Sequence, residues 1–329
     1  MDRVLILGGT NFIGRNLIEA LTKIHEYDLT LFNRGETNPD LFSDINLIKG
    51  DRNTSDISEI STKKWDYIID LSCYYPDQIN KTIEAVKHPL KRYILISTCS
   101  VYDNAAYNDM LRNEDAPILS CSIEQETDTS PVTYGNRKAK CESILTNSHL
   151  PFSIFRPALV FGKYDNTDRF YYWLYQVKND TEILLPNLGQ SQFSVTYVKD
   201  LVNVIIQSLN NEKPSKIYTM TTTPTCSIAL IKKLATEILK TNPNYTNADS
   251  RFLKNNSINQ WVDMPLWLDS DFYTYDNSKV LNDFKVTLSD FKSAVQSTID
   301  HFDEMNWPVP KYGISDDRKN ELIQLLKHK

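Results

Sequence analysis

Tyr134 and Lys138 lie four residues apart in VTYGNRK, downstream of the hydroxyl-rich stretch STCSVY at residues 97–102. On a helix that spacing puts both side chains on one face. The chemistry that suits such a pair is proton transfer to or from an oxygen. A tyrosine in water ionises near pH ~10, so work near neutrality asks for a shift of about 3 units, or about 4 kcal/mol. One ammonium at about 4 Å supplies that order of energy at an effective dielectric of about 20. Thr98, just past the strand-like run RYILI, is placed to hydrogen-bond the reacting oxygen. The spacing thus nominates Tyr134 as acid/base, Lys138 as the charge that tunes it and Thr98 as the orienting hydroxyl. A lone YxxxK is common on solvated helix surfaces. A glycine turn upstream and a strand leading into STCSVY give this one its weight.

That turn is LILGGTNFIG, residues 5–14. It follows a strand-like run and opens an amphipathic segment, the setting that a dinucleotide-binding turn requires. Gly8 permits the tight turn and Gly14 lets helix and strand approach. The amides at the helix start can receive a pyrophosphate. Asn11 stands where such turns usually carry a second glycine, and asparagine tolerates left-handed backbone better than other non-glycine residues. Thr10, Phe12 and Ile13 complete the turn expected to face the cofactor. The second strand ends in LFNRG. There Asn33 is neutral and Arg34 offers a guanidinium fork to a 2′-phosphate, so NADP is favoured over NAD, with Glu36 nearby counting the other way. The third strand ends in IKGDR, where Asp51 either accepts from the adenine amino group or forms the turn. Arg52 and Leu71, past the third and fourth strands, are assigned to the same cofactor site.

These residues need a scaffold, and the runs RVLIL, DLTLF, INLIKG, YIIDLS and RYILIS supply one. They are apolar throughout rather than alternating, which fits strands buried on both faces of a parallel sheet. Helical patterns at residues 13–23 and 76–87 fall between them, and repeated β–α alternation predicts a Rossmann-type, doubly wound α/β fold. Residues 103–130 are polar and irregular and read as a long loop near the active site. From about residue 163 the alternation weakens. The aromatic pieces RFYYWLYQ and QWVDMPLWLDSDFYTY suggest a smaller second lobe, in which they serve either as core or as substrate cleft. The expected organisation is an NAD(P)-binding Rossmann domain over residues 1–162, joined by elements returning from later segments, and a mainly substrate-binding lobe over residues 163–329.

The charge balance narrows the function classes. A net charge of −6 speaks against a partner held by phosphate neutralisation, so no nucleic acid is expected. The five cysteines, Cys73, Cys99, Cys121, Cys141 and Cys226, show neither CxxC nor metal-ligand spacing, and no metal is expected. An odd number of scattered thiols fits a reducing cytoplasm. Met1 leads directly into the strand VLILG, and no apolar run approaches ~18 residues, so neither a leader nor a membrane span is expected.

Taken in order, GGTNFIG, GDR, STCSVY, YGNRK, FRPALVFG (155–162) and VTYVKDL (195–201) resemble the extended short-chain dehydrogenase/reductases, the NAD-dependent epimerase/dehydratase group, over nearly the whole chain. The resemblance implies that Gly8, Asn11 and Gly14 form the phosphate turn and that Asp51 lies at the adenine. It makes Thr98, Tyr134 and Lys138 the catalytic triad, with Lys138 also on the nicotinamide ribose. It further implies that FRPAL closes over the nicotinamide. Two positions depart from the pattern. Cys99–Ser100 stand where the dehydratases carry Asp–Glu, and Gln192–Phe193 where nucleotide-sugar epimerases place an arginine before the phenylalanine. The implied activity is that of an NAD(P)-dependent oxidoreductase or epimerase acting on a hydroxyl or keto carbon of a small-molecule substrate, by default an acylated or nucleotide-linked sugar. In an epimerase the ketone would be transient and re-reduced from its other face. Two alternatives stay open on the same scaffold: a regulator that binds NADP without turnover, and an RNA-binding protein. The combination GGTxFIG, NRG, GDR and DNTDRFYYW (165–173) also resembles chloroplast stem-loop RNA-binding proteins. Whether the chain pairs as a homodimer is left open.

Overall fold

The computed structural model describes residues 1–106, 110–210, 214–269 and 272–328. In chain order the elements are β1 (Asp2–Leu7), α1 (Phe12–Ile24), β2 (Tyr27–Asn33), β3 (Asn46–Lys49), β4 (Tyr67–Asp70), α2 (Pro76–Ala85) and β5 (Arg92–Ile96). There follow α3 (Ile123–Glu126), α4 (Tyr134–Asn147), β6 (Phe152–Pro157), β7 (Leu159–Phe161), α5 (Arg169–Asn179), β8 (Glu182–Pro186) and β9 (Gln192–Tyr197). Then come α6 (Val198–Leu209), β10 (Lys216–Met220), β11 (Thr223–Cys226), α7 (Ile228–Leu239), β12 (Asn244–Ala248) and α8 (Ser250–Asn255). The chain continues through β13 (Phe272–Tyr273), α9 (Ser278–Phe284), α10 (Phe291–Glu304) and α11 (Asp316–Lys327). It divides into two units. The first takes Met1–Ala158, Val198–Thr221 and Asp276–Thr287, the second Leu159–Tyr197, Thr222–Tyr275 and Leu288–Lys329. The first long segment therefore ends at Ala158 rather than residue 162.

The first unit is built on a seven-stranded sheet in the order β10-β6-β5-β4-β1-β2-β3, with every pairing parallel. Strands β1, β4 and β5 are apolar on both faces because helices cover both. Leu5, Leu7, Ile68 and Leu95 share one buried cluster with Ile79 of α2 and Leu145 of α4. In a second layer α1 packs on α6 and α6 on α9. The chain builds the sheet outward from β1 to β3, then restarts beside β1 with β4 and proceeds the other way. That reversal opens a crevice beyond the carboxyl ends of β1 and β4, where such sheets bind their ligands. The stretch at residues 103–130 is less irregular than its composition suggests: α3 lies within it, and residues 107–109 fall outside the described residues.

In the second unit β9 pairs antiparallel with β11 and parallel with β7 and β13, and β8 pairs with β12. The aromatic run RFYYWLYQ is α5, and Phe170, Tyr171, Tyr172 and Trp173 are buried there. Tyr171 stacks on Phe302 at 3.7 Å between ring centroids, and Trp173 donates its indole N–H to the Pro265 carbonyl. Of the two roles open to this segment the structure gives it the core, because the rings cover one another.

Candidate active site

The glycine turn sits at the crevice. Gly8 and Gly9 adopt φ of 101° and 109°, conformations that L side chains rarely reach. A methyl at Gly14 would come within 2.5 Å of Gly9 Cα, so the start of α1 lies directly against the turn. Leu71 and Ser72, past the end of β4, lie beside Gly8, which brings the predicted Leu71 to the same place. Asn11 corrects the expectation made for it. Its backbone is extended, φ −124° and ψ 161°, and its side chain accepts the Phe12 N–H at 3.0 Å as the cap of α1. Asparagine stands there to cap a helix, and no left-handed conformation is asked of it. Thr10 accepts the Asn38 side-chain amide through its carbonyl at 2.8 Å. Of the remaining turn residues Phe12 is buried and Ile13 half-buried.

At the end of β2, Asn33 builds the turn: its amide reaches the Gly8 carbonyl at 3.3 Å and its oxygen accepts the Gly35 N–H at 2.8 Å. Arg34 projects outward and is ion-paired with Glu36 at 3.0 Å. After β3, Asp51 accepts both the backbone and side-chain N–H of Asn53 through one oxygen, at 2.9 and 2.8 Å. Arg52 corrects its assignment to the cofactor. Its guanidinium is buried in a two-pronged bond to Asp70, at 2.7 and 2.9 Å, and also reaches Ser72, the Gln78 carbonyl and Thr82. Tyr93 donates to the same carboxylate at 2.7 Å. Both terminal nitrogens of the guanidinium are thus taken up by groups of the protein itself, and Nε is left without a partner. Burial works against charge on Asp70, but Arg52 outweighs it and holds the carboxyl below the ordinary carboxylate range.

The three residues nominated as catalytic by the sequence come from two neighbouring elements. Thr98 follows β5 and caps the single 3-10 turn Cys99–Val101, its hydroxyl accepting the Ser100 N–H and lying 3.1 Å from the Ser100 hydroxyl. Tyr134 opens α4, half-buried, with Tyr74 beside it at 6.4 Å between ring centroids. Lys138, one turn on, is buried, and its ammonium donates to the carbonyls of Cys73 at 2.7 Å and Ile96 at 2.8 Å. Burial opposes the charge on Lys138. Tyr134 first, then Cys73, Cys141 and Asp70, more than offset that and raise its pKa above the ordinary lysine value.

Sequence reasoning missed what holds α4 in place. A methyl at Gly135 would overlap the Ser100 carbonyl oxygen and sit 2.9 Å from Leu119. Glycine in YGNRK is thus what lets the helix carrying Tyr134 touch the segment carrying Thr98. Arg137 bridges to the Asp128 and Ser130 carbonyls and lies over the Tyr75 ring at 5.0 Å. Glu142, four residues past Lys138, pairs with Arg156 of β6, both 2% exposed. The spacing YxxxKxxxE could have suggested an inward carboxylate, but nothing local in the sequence names its partner.

The crevice fits a dinucleotide on its own geometry: a cradle that a Cβ would fill and the amino end of a 13-residue helix at the strand reversal. Among the described residues no three or more His, Cys, Asp or Glu side chains gather to hold a metal, and no helix is long and apolar enough to cross a membrane.

Comparison with known proteins places this geometry. The profile of the NAD dependent epimerase/dehydratase family matches residues 4–220. The chain is 27% identical over 229 residues to the chloroplast stem-loop binding protein of 41 kDa b from Arabidopsis thaliana, covering 65% of this chain and 57% of that protein, a little over half its length. It is 22% identical over 234 residues to UDP-glucose 4-epimerase from Vibrio cholerae, covering 64% and 67%. Among solved structures it resembles UDP-glucuronic acid 4-epimerase from Bacillus cereus in complex with UDP-glucuronic acid and NAD. There the TM-score is 0.71 at 19% identity, over 92% of this chain and 99% of that one.

Proposed function

The chain belongs to the NAD dependent epimerase/dehydratase family, and we propose that it is an enzyme that oxidises and re-reduces a hydroxyl-bearing carbon of a nucleotide-linked sugar, inverting it, with Tyr134 as acid/base. The observation that carries this reading is Lys138, buried one turn from Tyr134 and held by two carbonyls at the ends of β4 and β5, while Thr98 stands at the same end of β5. Gly8, Gly9 and Gly14 with the start of α1 would hold the diphosphate of the cofactor, and Lys138 its ribose. The bound nicotinamide supplies a hydride acceptor, and the remaining roles fall to the chain. Tyr134 takes the proton from the substrate hydroxyl and returns it after re-reduction. Thr98, oriented by Ser100, holds the oxygen. The ammonium of Lys138 stabilises the negative charge that the proton leaves on the Tyr134 oxygen. The sugar nucleotide is taken from the relatives, whose names specify UDP-glucose and UDP-glucuronic acid. With Cys99–Ser100 where dehydratases have acids, epimerisation is preferred over water elimination.

For the cofactor we favour NAD, a revision of the lean toward NADP. Arg34, the residue that argued for a 2′-phosphate, is paired with Glu36, and the pair carries no net charge. Calorimetric titration should give NAD the tighter binding, and Glu36→Gln should move the preference toward NADP. The deciding experiment incubates the protein with NAD and UDP-glucose or UDP-glucuronic acid and follows inversion at C4 by proton NMR, with mass spectrometry of the native protein for retained NAD(H). No inversion and no retained cofactor would defeat the proposal. The Arabidopsis relative, named for stem-loop binding, favours a second reading in which this chain binds a nucleic-acid stem-loop, and the net charge of −6 disfavours it. Submicromolar binding to an RNA stem-loop at about 150 mM salt would bring it forward.

A further inference from the structure

One arginine touches both halves of the triad's support. Arg156, on β6, donates from Nε to both Glu142 oxygens, at 3.0 and 3.1 Å, and from Nη2 to one of them at 2.6 Å, and Glu142 lies one turn past Lys138 on α4. The same guanidinium lies over the ring of Tyr102 at 4.8 Å. Tyr102 ends the turn that Thr98 begins, and its hydroxyl is 2.5 Å from that of Thr219 on β10. The backbone of Arg156 joins in: its carbonyl accepts the Cys99 thiol at 3.2 Å. A buried ion pair is a poor source of stability, since desolvation offsets the attraction. Its retention here, with one side of the guanidinium given to α4 and its face to the 98–102 segment, calls for another reason.

We infer that Arg156 is a positioning residue, a clamp that fixes the segment carrying Thr98 against the helix carrying Tyr134 and Lys138. The catalytic consequence rests on the function proposed above, whereas the mechanical one does not. The side chain of Arg156 is buried against Glu142 and Tyr102, whatever its segment FRPAL contributes over the nicotinamide. Loosening it lets Thr98 and Tyr134 drift apart, and a misplacement of about 1 Å can cost about 10²-fold in rate. The geometry makes two demands on the side chain. It must be charged, for Glu142, and flat, for Tyr102. Lysine meets the first alone.

The test uses Arg156→Met, Arg156→Lys and Glu142→Gln in the full chain, read by hydrogen-exchange mass spectrometry and by kinetics with NAD and UDP-glucose. Exchange should quicken both in residues 98–102 and in the first turns of α4, while the strand and helix flanking the glycine cradle keep their protection. kcat should fall about 10–100-fold, with KM and NAD affinity within about 3-fold. Arg156→Lys should restore protection to α4 and leave residues 98–102 loose. Glu142→Gln, close in shape, reports the same coupling where Arg156→Met does not fold. Quickened exchange in α4 alone, or equal losses in kcat, KM and NAD affinity, would overturn the clamp. Should the unmodified protein turn over neither sugar nucleotide, the exchange pattern still decides: paired loosening upholds the clamp and refutes only the proposed substrate.

Discussion

Lys138 keeps a positive charge where water does not reach, because two backbone carbonyls stand in for it. Its replacement should therefore do more than remove a charge. Lys138→Met leaves the Cys73 and Ile96 carbonyls buried and unpaired, so it should lose stability by about 1–3 kcal/mol and lose NAD affinity and rate together. Tyr134→Phe removes one hydroxyl from a half-buried side chain. It should leave folding and NAD binding near normal and cut turnover by about 10²–10⁴. Denaturation, calorimetry and steady-state kinetics on the two variants separate these outcomes, and full activity in Tyr134→Phe would remove the tyrosine from the acid/base role. At this scale the sequence was legible where placement depends on residue type and short spacing: the glycine turn between β1 and α1, Thr98 just past β5, and Tyr134 and Lys138 one turn apart on α4. It was not legible where the partner is a backbone atom. No pattern announces that the Cys73 carbonyl will meet Lys138, and Arg52 next to Asp51 reads as a ligand residue until β4 brings Asp70 under it.

Two elements carry geometry that a single atom can upset. Gly135 lets α4 rest on the Ser100 carbonyl. Gly135→Ala, which raises helix propensity by about 1 kcal/mol elsewhere, should here force the helix away. The expected outcome is a lower melting temperature and at least about 10-fold slower turnover; unchanged activity would show that the contact is elastic. The second element is the loop between β7 and α5. Asp165 is buried there, its Oδ1 accepting the Thr167 N–H and hydroxyl at 2.8 and 2.7 Å. Burial pushes its carboxyl up to about 6, with Asp168 adding to the effect and Thr167 and Arg169 opposing it. A carboxyl raised in the folded state favours the neutral form, so the cost is absent below about pH 4 and complete above about 6. Asp165→Asn keeps an acceptor for Thr167 and should stabilise the protein at pH 7 by up to about 3 kcal/mol, with no gain at pH 4. Urea denaturation at both pH values measures this. The strands were readable because parallel strands buried on both faces are uniformly apolar. The loop was not, since burial of an aspartate depends on what folds over it.

At the scale of the molecule, the Arg52–Asp70–Tyr93 network joins the end of β3 to β4 and β5 beneath the crevice. Asp70's depressed carboxyl contributes stability that is complete above the ordinary range near pH ~4 and is lost as pH falls through its folded value. Arg52→Met should cost about 3–5 kcal/mol at neutrality, the scale for stranding a buried charge. The cost should shrink in acid, where Asp70 can neutralise; a cost that does not change with pH would mean that the network acts through packing alone. The sequence could give the parallel sheet and its return from later segments. Which segments return depends on long-range pairing that no local window contains.

The first unit is assembled from three stretches, the last being Asp276–Thr287. That stretch carries α9, whose Phe284 packs on Phe155 and Tyr218 and whose Asp283 pairs with Lys216. On the ribosome the chain emerges in order, so β6 is exposed long before its cover exists. From Ala158 to Thr287 is 129 residues, and at about 5–20 residues per second the wait is roughly 6–25 s. For that time the face of β6, and of β10 once it has emerged, that carries Phe155 and Tyr218 lacks its cover, a surface that invites chaperones or other nascent chains. Fragments ending between residues 221 and 287 should therefore be aggregation-prone, although they contain Thr98, Tyr134 and Lys138.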